Sequence, residues 1–162
     1  MTIYTDGAYS PSRDQGGWAF FVEEEQLPVT GGAKQTTNNR MELEAILQAL
    51  DYCLQANKKE PVFIFTDSQY AVGTLTKNWK RNTNEDILLN IDDRLGQLEK
   101  KKIQVFIEHV KVHNGTTGNE FVDNLANYSS QSAHMCKEFA MISSKRDLVD
   151  PFNRFKDKEI IL

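Results

Sequence analysis

The chain has 162 residues, of which 40% are hydrophobic and 26% are charged, a balance typical of one soluble globular domain. Its formal net charge of −4 argues against non-specific binding of nucleic acid by the whole surface, although a local basic patch is compatible with it. The sequence has no apolar run long enough to span a membrane and no basic-then-apolar leader, and its two cysteines are too few for a disulfide framework. We therefore expect an intracellular, cytoplasmic setting (the host cytoplasm if the source is viral).

Three short strands are predicted in the first part of the chain. Residues 2–6 and 18–22 are rich in β-branched and aromatic side chains, and a turn-rich loop separates them. A third strand is predicted from residue 27 to residue 31 or 33. Such closely spaced strands favour an antiparallel meander.

The clearest helical pattern covers residues 39–57. Its apolar stripe recurs at helical spacing and consists of Leu43, Ile46, Leu47, Leu50 and Leu54. A narrow side of small residues, formed by Ala45, Ala49 and Cys53, would let the helix approach a sheet closely. Residues 62–66 follow as a buried strand, which indicates a parallel βαβ unit.

The later elements complete an α/β fold with a five-stranded mixed sheet and helices on both faces. The chain beyond residue 131 gives weaker signals, and we expect a helix at 135–142 and a break at Asp150-Pro151. The remaining predicted elements are helices at 68–77, 85–100 and 120–130, a strand at 103–109 and a glycine-rich loop at 112–119.

Two predicted strands end in the same dipeptide, Thr5-Asp6 and Thr66-Asp67. Ligands of such sheets lie at the carboxyl ends of strands, so we expect the two acids to meet there. Like charges held together destabilise a fold unless a cation bridges them, which predicts a metal site. The alternative is that each aspartate caps a turn or a helix.

Two further acids stand at predicted helix starts, Glu42 and Asp123. Both also have a structural interpretation, because Asn39 and Glu42 have capping-box spacing and Asp123 would favour the positive end of a helix. Four converging carboxylates would suit Mg²⁺ or Mn²⁺, and such clusters are typical of two-metal phosphoryl transfer. The sequence has no zinc spacing, no phosphate-binding loop and no nucleophile elbow.

Four blocks, in this order and at this spacing, resemble type 1 ribonuclease H over about residues 1–130. They are Thr5-Asp6-Gly7-Ala8, residues 37–43 (TNNRMEL), residues 65–70 (FTDSQY), and His113-x-Gly-x-x-x-Asn119-Glu120-x-x-Asp123-x-Leu125-Ala126. The resemblance implies the ribonuclease H-like fold and hydrolysis of the RNA strand of an RNA–DNA hybrid, leaving 5′-phosphate and 3′-hydroxyl ends.

The resemblance also implies residue roles. Asp6, Glu42, Asp67 and Asp123 match the family's catalytic, metal-binding acids, which would hold two Mg²⁺ ions, with Mn²⁺ as a substitute. His113 matches a loop histidine that assists proton transfer or product departure, and Glu120 matches an acid near the active site. The expected substrate-binding residues are Ser12, Thr37, Asn38, Asn39, Arg40, Ser68, Gln69 and Trp79.

The chain departs from the family pattern in three places. Residues 12–14 replace an Asn-Pro-Gly loop, Gln35 stands where some members have arginine, and residues 79–84 replace a longer basic arm. A small basic patch remains at Lys77, Lys80 and Arg81, which residues 100–102 could extend. We therefore expect modest hybrid affinity that relies on metal.

Residues 1–132 are predicted to form the catalytic domain, and residues 133–162 a C-terminal extension that is either a packed tail or a segment for docking a replication protein. We expect a monomer that binds an RNA–DNA hybrid and no membrane. Two alternatives stay open: a related nuclease (a junction resolvase, exonuclease or integrase-like core) and a catalytically inactive binding or scaffold module.

Overall fold

Strand β1 (Thr2–Ser10) lies inside a mixed sheet whose strand order is β5-β4-β1-β2-β3-β6. The computed structural model describes residues 1–110, 117–132 and 138–142. β1, β2 (Gln15–Val22) and β3 (Leu27–Lys34) form the predicted antiparallel meander, and β4 (Val62–Thr66) and β5 (Val105–His109) extend it in parallel on the other side of β1. The predicted five-stranded mixed sheet is confirmed.

Helix α1 (Asn38–Ala56) covers one face of the sheet together with α2 (Gln69–Thr76) and α3 (Glu85–Lys100). The predicted faces of α1 are confirmed, since Leu43, Ile46 and Leu50 of the apolar stripe and Ala45 and Ala49 of the small side are all fully buried. Because side chains alternate along a strand, the same face of the sheet supplies the other half of this core. Its members there include Ile3, Phe20, Val22, Val29, Val62 and Ile64.

Helix α4 (Thr117–Ser132) packs on the opposite face, against β1, β2 and β3. A smaller core lies between them, with Tyr4, Ala19 and Phe21 from the sheet and Val122 and Leu125 from the helix. Helices therefore lie on both faces, as predicted, and the sheet holds α1 and α4 in fixed positions on either side of β1.

The prediction of a helix at 135–142 is wrong for its last five residues. β6 (Glu138–Ile142) is a strand that pairs antiparallel with β3, from Ala33 opposite Glu138 to Val29 opposite Ile142. The outer edge of β3 offers unpaired backbone donors and acceptors, and pairing with them overrides a weak local helix preference. The described sheet thus has a sixth strand beyond the predicted five.

Candidate active site

Three buried or half-buried carboxylates meet at one edge of the sheet. Asp6, Glu42 and Asp67 each offer an oxygen atom, and these atoms all lie within 4.8 Å of one another. Asp6 is 2% exposed and Glu42 is 5% exposed, while Asp67 is half-buried. The predicted meeting of acids from two strands and a helix is therefore present in the fold.

The pairing of β1 with β4 places Asp6 beside Asp67. The parallel ladder between these strands ends at Thr5 opposite Thr66, and the aspartates are the next residues on each chain. β4 ends there as predicted, but the prediction that β1 also ends at Asp6 is wrong. β1 continues to Ser10 by pairing with β2. Asp6 therefore lies within a strand, at the first residue that no longer pairs with β4.

Glu42 is oriented by the backbone of β1. The N–H of Gly7 donates to Oδ1 of Asp6 at 2.8 Å and to Oε2 of Glu42 at 3.1 Å. The capping alternative for Glu42 is wrong, because the N-cap of α1 is Thr37, whose hydroxyl accepts from the N–H of Arg40. Glu42 thus points at the aspartates instead of back at its own helix start.

Asp123 reaches the cluster from the opposite face of the sheet. It lies close enough to Asp6 for hydrogen bonding between the two carboxyl groups to help raise the pKa of Asp6, although Asp123 is exposed and lies outside the tight group of three. Gly17 permits this approach of α4, since a Cβ there would lie 2.3 Å from the carbonyl oxygen of Ala126 and 2.4 Å from the nitrogen of Ser130. The amide of Asn127 donates to Oδ1 of Asp123 at 3.3 Å and helps to hold it.

Burial and mutual repulsion make the charged form of the cluster unfavourable. Burial, followed by the charges of Glu42 and Asp67, raises the pKa of Asp6 to about 11. Burial and the charge of Asp67 raise the pKa of Glu42 to about 8, and burial also raises the pKa of Asp67. A neighbouring cation would stabilise the ionised form of these carboxylates, because it offsets their mutual repulsion.

The donor set fits a hard divalent cation. Asp6, Glu42 and Asp67 offer carboxylate oxygens, the ligand type that Mg²⁺ and Mn²⁺ prefer, and a divalent charge would offset their repulsion. Asp123 lies close enough to Asp6 to contribute a further oxygen. The residues present therefore suit a metal-dependent hydrolase.

Comparisons with known proteins agree with this site. A model of the RNase H family matches residues 1–131. The chain belongs to the ribonuclease H family. It is 36% identical over 136 residues to a ribonuclease H of Cyanothece sp., covering 76% of this chain and 85% of the relative. It is 38% identical over 144 residues to the ribonuclease H of Trichodesmium erythraeum, covering 81% of this chain and 88% of the relative. It is 33% identical over 142 residues to the ribonuclease HI of Pseudomonas aeruginosa, covering 78% of this chain and 90% of the relative. As a ribonuclease H, the chain is a nuclease of the hydrolase class.

Polar residues predicted to bind substrate surround the cluster at two helix starts. Asn38 and Asn39 are exposed in the first turn of α1, one turn before Glu42. Gln69 is exposed at the first position of α2, two residues after Asp67. These three side chains of the ribonuclease H stand free to meet a ligand that lies over the carboxylates.

Other predicted substrate residues already serve the fold. The hydroxyl of Ser68 accepts from the N–H of Ala71 at 3.0 Å and caps α2. The guanidinium of Arg40 makes two hydrogen bonds to the carboxylate of Asp86 on α3, at 2.9 and 2.8 Å. Thr37 caps α1, as described above, although it is exposed and its hydroxyl can still donate.

The remaining predictions have mixed outcomes. Trp79 is 48% exposed, and its ring covers Gly73 of α2, where a Cβ would lie 2.1 Å from the ring. Ser12 is exposed in the turn between β1 and β2, and Glu120 is exposed in the first turn of α4. His113 lies outside the described residues.

Sequence reasoning missed His109 at the end of β5. Its Nε2 lies 3.2 Å from the carbonyl oxygen of Asp67, and its electrostatic interaction with the Asp67 carboxyl group lowers the pKa of that group against the effect of burial. The signal was the position of His109 at the end of a predicted strand, since β5 runs parallel to β4 and the ends of neighbouring parallel strands lie side by side.

Proposed function

We propose that the protein is an endoribonuclease that hydrolyses the RNA strand of RNA–DNA hybrids, leaving 5′-phosphate and 3′-hydroxyl ends. The observation that carries the proposal is the meeting of Asp6, Glu42 and Asp67, whose carboxylate oxygens lie within 4.8 Å of one another, with Asp123 close to Asp6. The names of the relatives, all ribonucleases H, support the same activity.

The four acids would hold two divalent ions, Mg²⁺ in the first instance with Mn²⁺ as a substitute. Bound ions of this kind would supply activation of a water molecule and stabilisation of the leaving oxygen of the phosphodiester. The chain itself fixes the carboxylates before metal arrives, because the Gly7 N–H holds both Asp6 and Glu42. His113 is proposed, from the resemblance, to assist proton transfer or product departure.

Selection of RNA requires contact with the 2′-hydroxyl group, which lies in a wide and shallow minor groove of the hybrid. Asn38, Asn39 and Gln69 are proposed to make these contacts, and their exposure on either side of the cluster supports that role. Amide side chains both donate and accept, so they match a hydroxyl group that does the same.

The complementary DNA strand would lie against the other predicted contacts. Thr37 is proposed to bind one of its phosphates, and Trp79 to pack on a sugar. Ser12 is proposed to donate one hydrogen bond to the bound hybrid. The half-exposed ring of Trp79, held against Gly73, supports a rigid apolar platform. Arg40 is proposed to position the asparagines, since its pairing with Asp86 anchors the first turn of α1 to α3.

The remaining proposals concern the domain organisation of the chain and where it acts in the cell. We propose a catalytic domain of residues 1–132 and an extension of residues 133–162, acting in the cytoplasm as a monomer. The pairing of β6 with β3 supports a packed extension, and docking of a replication protein remains the other candidate for it. No helix in the described residues has the length and apolarity to cross a membrane.

A cleavage assay tests the activity. A labelled RNA–DNA hybrid with Mg²⁺ is compared with single-stranded RNA, RNA duplex and DNA duplex. We expect cleavage of the RNA strand of the hybrid alone, and none with Asp67→Asn. The matched control is Asp93→Asn, which removes an exposed carboxylate on α3 that pairs with Arg94.

Three results would overturn the proposal. If the hybrid survives while a DNA duplex is cut, the related-nuclease alternative replaces it. If nothing is cut, or if Asp67→Asn cuts as well as the wild type, the carboxylate cluster does not perform this chemistry.

A further inference from the structure

The outer pair of strands, β4 and β5, has one sheet face that no described element covers well. Val62 and Ile64 of β4 point into the core under α1, so Phe63 points to the opposite face. α4 packs on that opposite face, but against β1, β2 and β3. Among the described elements, none is therefore left to cover the face of β4 and β5 beyond α4.

Two large apolar side chains occupy this face. Phe63 is 37% exposed and Phe106 is 41% exposed, and their rings stack with centroids 5.2 Å apart. Phe63 and Phe106 are opposite each other in the parallel ladder. We call this pair the Phe63–Phe106 patch.

A groove of about 750 Å³ continues from the patch around the edge strand β5. Charged side chains also line the groove, whose apolar lining comes from Pro61, Leu95, Ile103, Val105 and Phe106. An apolar surface that runs into a groove at an open strand edge is suited to an extended chain with large apolar side chains.

We propose that residues 143–162 of this same chain cover the Phe63–Phe106 patch. The segment carries the side chains that such a surface requires, with Phe152 and Phe155 near its middle and residues 160–162 (Ile-Ile-Leu) beyond them. It also begins where the described chain ends, directly after β6.

The course of β6 directs the segment towards the patch. β6 runs antiparallel to β3, and its last residue, Ile142, pairs with Val29. It therefore travels towards the end of the sheet at which β1 and β4 begin, and Phe63 pairs with Thr2 at that end. At Ile142 the direction of β6 is therefore towards the level of the patch.

The distance is well within reach. Crossing from β6 to β5 covers five strand spacings, roughly 24 Å at about 4.8 Å each. Residues 143–162 span up to roughly 66 Å when extended. About seven residues would make the crossing, which leaves Phe152 and Phe155 free to contact the patch.

A tethered segment also has an advantage over any other occupant. A segment linked to the same molecule typically has an effective concentration on the order of millimolar at a site that it can reach. A partner protein or a second copy of the chain would have to displace it. The patch is also remote from the carboxylates, since Phe63 lies near the start of β4 and Asp67 follows its end.

Photo-crosslinking in the full chain tests the proposal. The photoreactive residue p-benzoylphenylalanine replaces Phe106, a close match in shape, and illumination is followed by peptide mapping. We expect a crosslink within one molecule to a peptide from residues 143–162. In the same protein carrying Phe152→Ser and Phe155→Ser, this crosslink should be lost. The matched control places the probe at Leu89, a 56% exposed side chain on α3, where no such crosslink is expected.

Mixing ¹⁵N-labelled with unlabelled protein distinguishes a crosslink within one chain from one between two chains. Crosslinks that join the two isotopes would assign the patch to a second copy, and the proposal would fail. Absence of any crosslink from position 106 to the segment would also overturn it. Cleavage of the hybrid is not needed for either readout, so failure here is distinct from failure of the proposed activity.

Discussion

Gly7 contacts both the side chain and the backbone of Glu42. The Gly7 N–H donates to Oε2 of Glu42 at 3.1 Å, and a Cβ on Gly7 would lie 2.3 Å from the backbone nitrogen of Glu42. The absence of a side chain on β1 thus brings α1 close enough for Glu42 to join Asp6. One glycine fixes the distance between the two elements that carry these acids.

Gly7→Ala is expected to separate α1 from β1 and to impair the site. The added Cβ meets backbone atoms of Met41 and Glu42, which cannot rotate away. Overpacking of this kind costs about 1–3 kcal/mol of the free energy of unfolding. The urea concentration at the midpoint of unfolding and the affinity for Mg²⁺ should both fall. The rate of hybrid cleavage should fall with them.

Gly96→Ala is the matched control for that prediction. Gly96 lies in α3, and nothing stands within 4 Å of a Cβ built there. Alanine in an open helix position stabilises by about 0.5–1 kcal/mol relative to glycine. Equal behaviour of the two variants would mean that the Gly7 contact does not hold Glu42.

Hydrophobic periodicity predicted the helices and strands that carry a clear apolar pattern within their own sequence. α3 and β4 have the predicted bounds, and α1 differs by one residue at each end. β1 was predicted too short because residues 7–10 carry little strand signal of their own. They form a strand by pairing with β2, from Gly7 opposite Trp18 to Ser10 opposite Gln15.

The parts of the site that depend on distant pairing were harder to predict. The acids Asp6 and Asp67 were found because each follows an apolar run and a threonine in the sequence, although only β4 ends at that point. The pairing of Arg40 with Asp86 joins residues 46 positions apart, and no local pattern signals it. β6 was missed for the same reason, because its stability comes from the edge of β3.

Asp6→Asn is expected to abolish cleavage while the fold is retained. A divalent ion supplies several kcal/mol of charge stabilisation, so loss of a ligand should lower the rate on the order of a thousandfold or more. The amide keeps the shape of the side chain and removes a charge that burial and neighbouring acids disfavour. In the absence of metal, the variant should therefore unfold at a higher urea concentration than the wild type.

The stability of the metal-free protein is expected to fall as pH rises above about 5. The folded protein holds a proton on Asp6 up to a pKa of about 11, and one on Glu42 up to about 8, whereas their ordinary values are 3.8 and 4.5. Unfolding between these values releases protons, so stability is greatest below the ordinary pKa values and is lost with rising pH, by up to about 1.4 kcal/mol per pH unit for each proton.

Urea unfolding between pH 5 and pH 8 measures this dependence. We expect a shallower decline in Asp6→Asn and a recovery of wild-type stability when Mg²⁺ is added at pH 8. A wild-type curve that rises with pH in the absence of metal would contradict the repulsion within the cluster.

The stabilisation that the Arg40–Asp86 pair contributes is expected to be lost only at low pH. The guanidinium of Arg40 lowers the pKa of Asp86 to about 2 from an ordinary value of 3.8. Its contribution is therefore present above about pH 4 and is lost as pH falls towards 2. Because both side chains are partly exposed, we expect Asp86→Asn to cost no more than about 1 kcal/mol at neutral pH, measured by thermal unfolding.

Hybrid binding is expected to be modest, dependent on metal and only weakly sensitive to salt. Several arginines are already paired with carboxylates, which leaves fewer cations to neutralise phosphates. These pairs are Arg40–Asp86, Arg81–Asp92 and Arg94–Asp51. Titration of a labelled hybrid with Asp67→Asn at several salt concentrations measures the slope, and tight binding without metal that falls steeply with salt would refute the prediction.

Asp86→Asn is expected to steepen that salt dependence. The substitution removes the carboxylate that holds the Arg40 guanidinium, one residue from the proposed substrate contact at Asn39. If Arg40 then meets a phosphate, the slope of log K against log salt should grow by up to about 0.9, the value for one additional contact. Asp93→Asn, on the exposed side of the same helix, should leave the slope unchanged. An unchanged slope in Asp86→Asn would mean that Arg40 lies away from the bound hybrid and acts only to join α1 to α3.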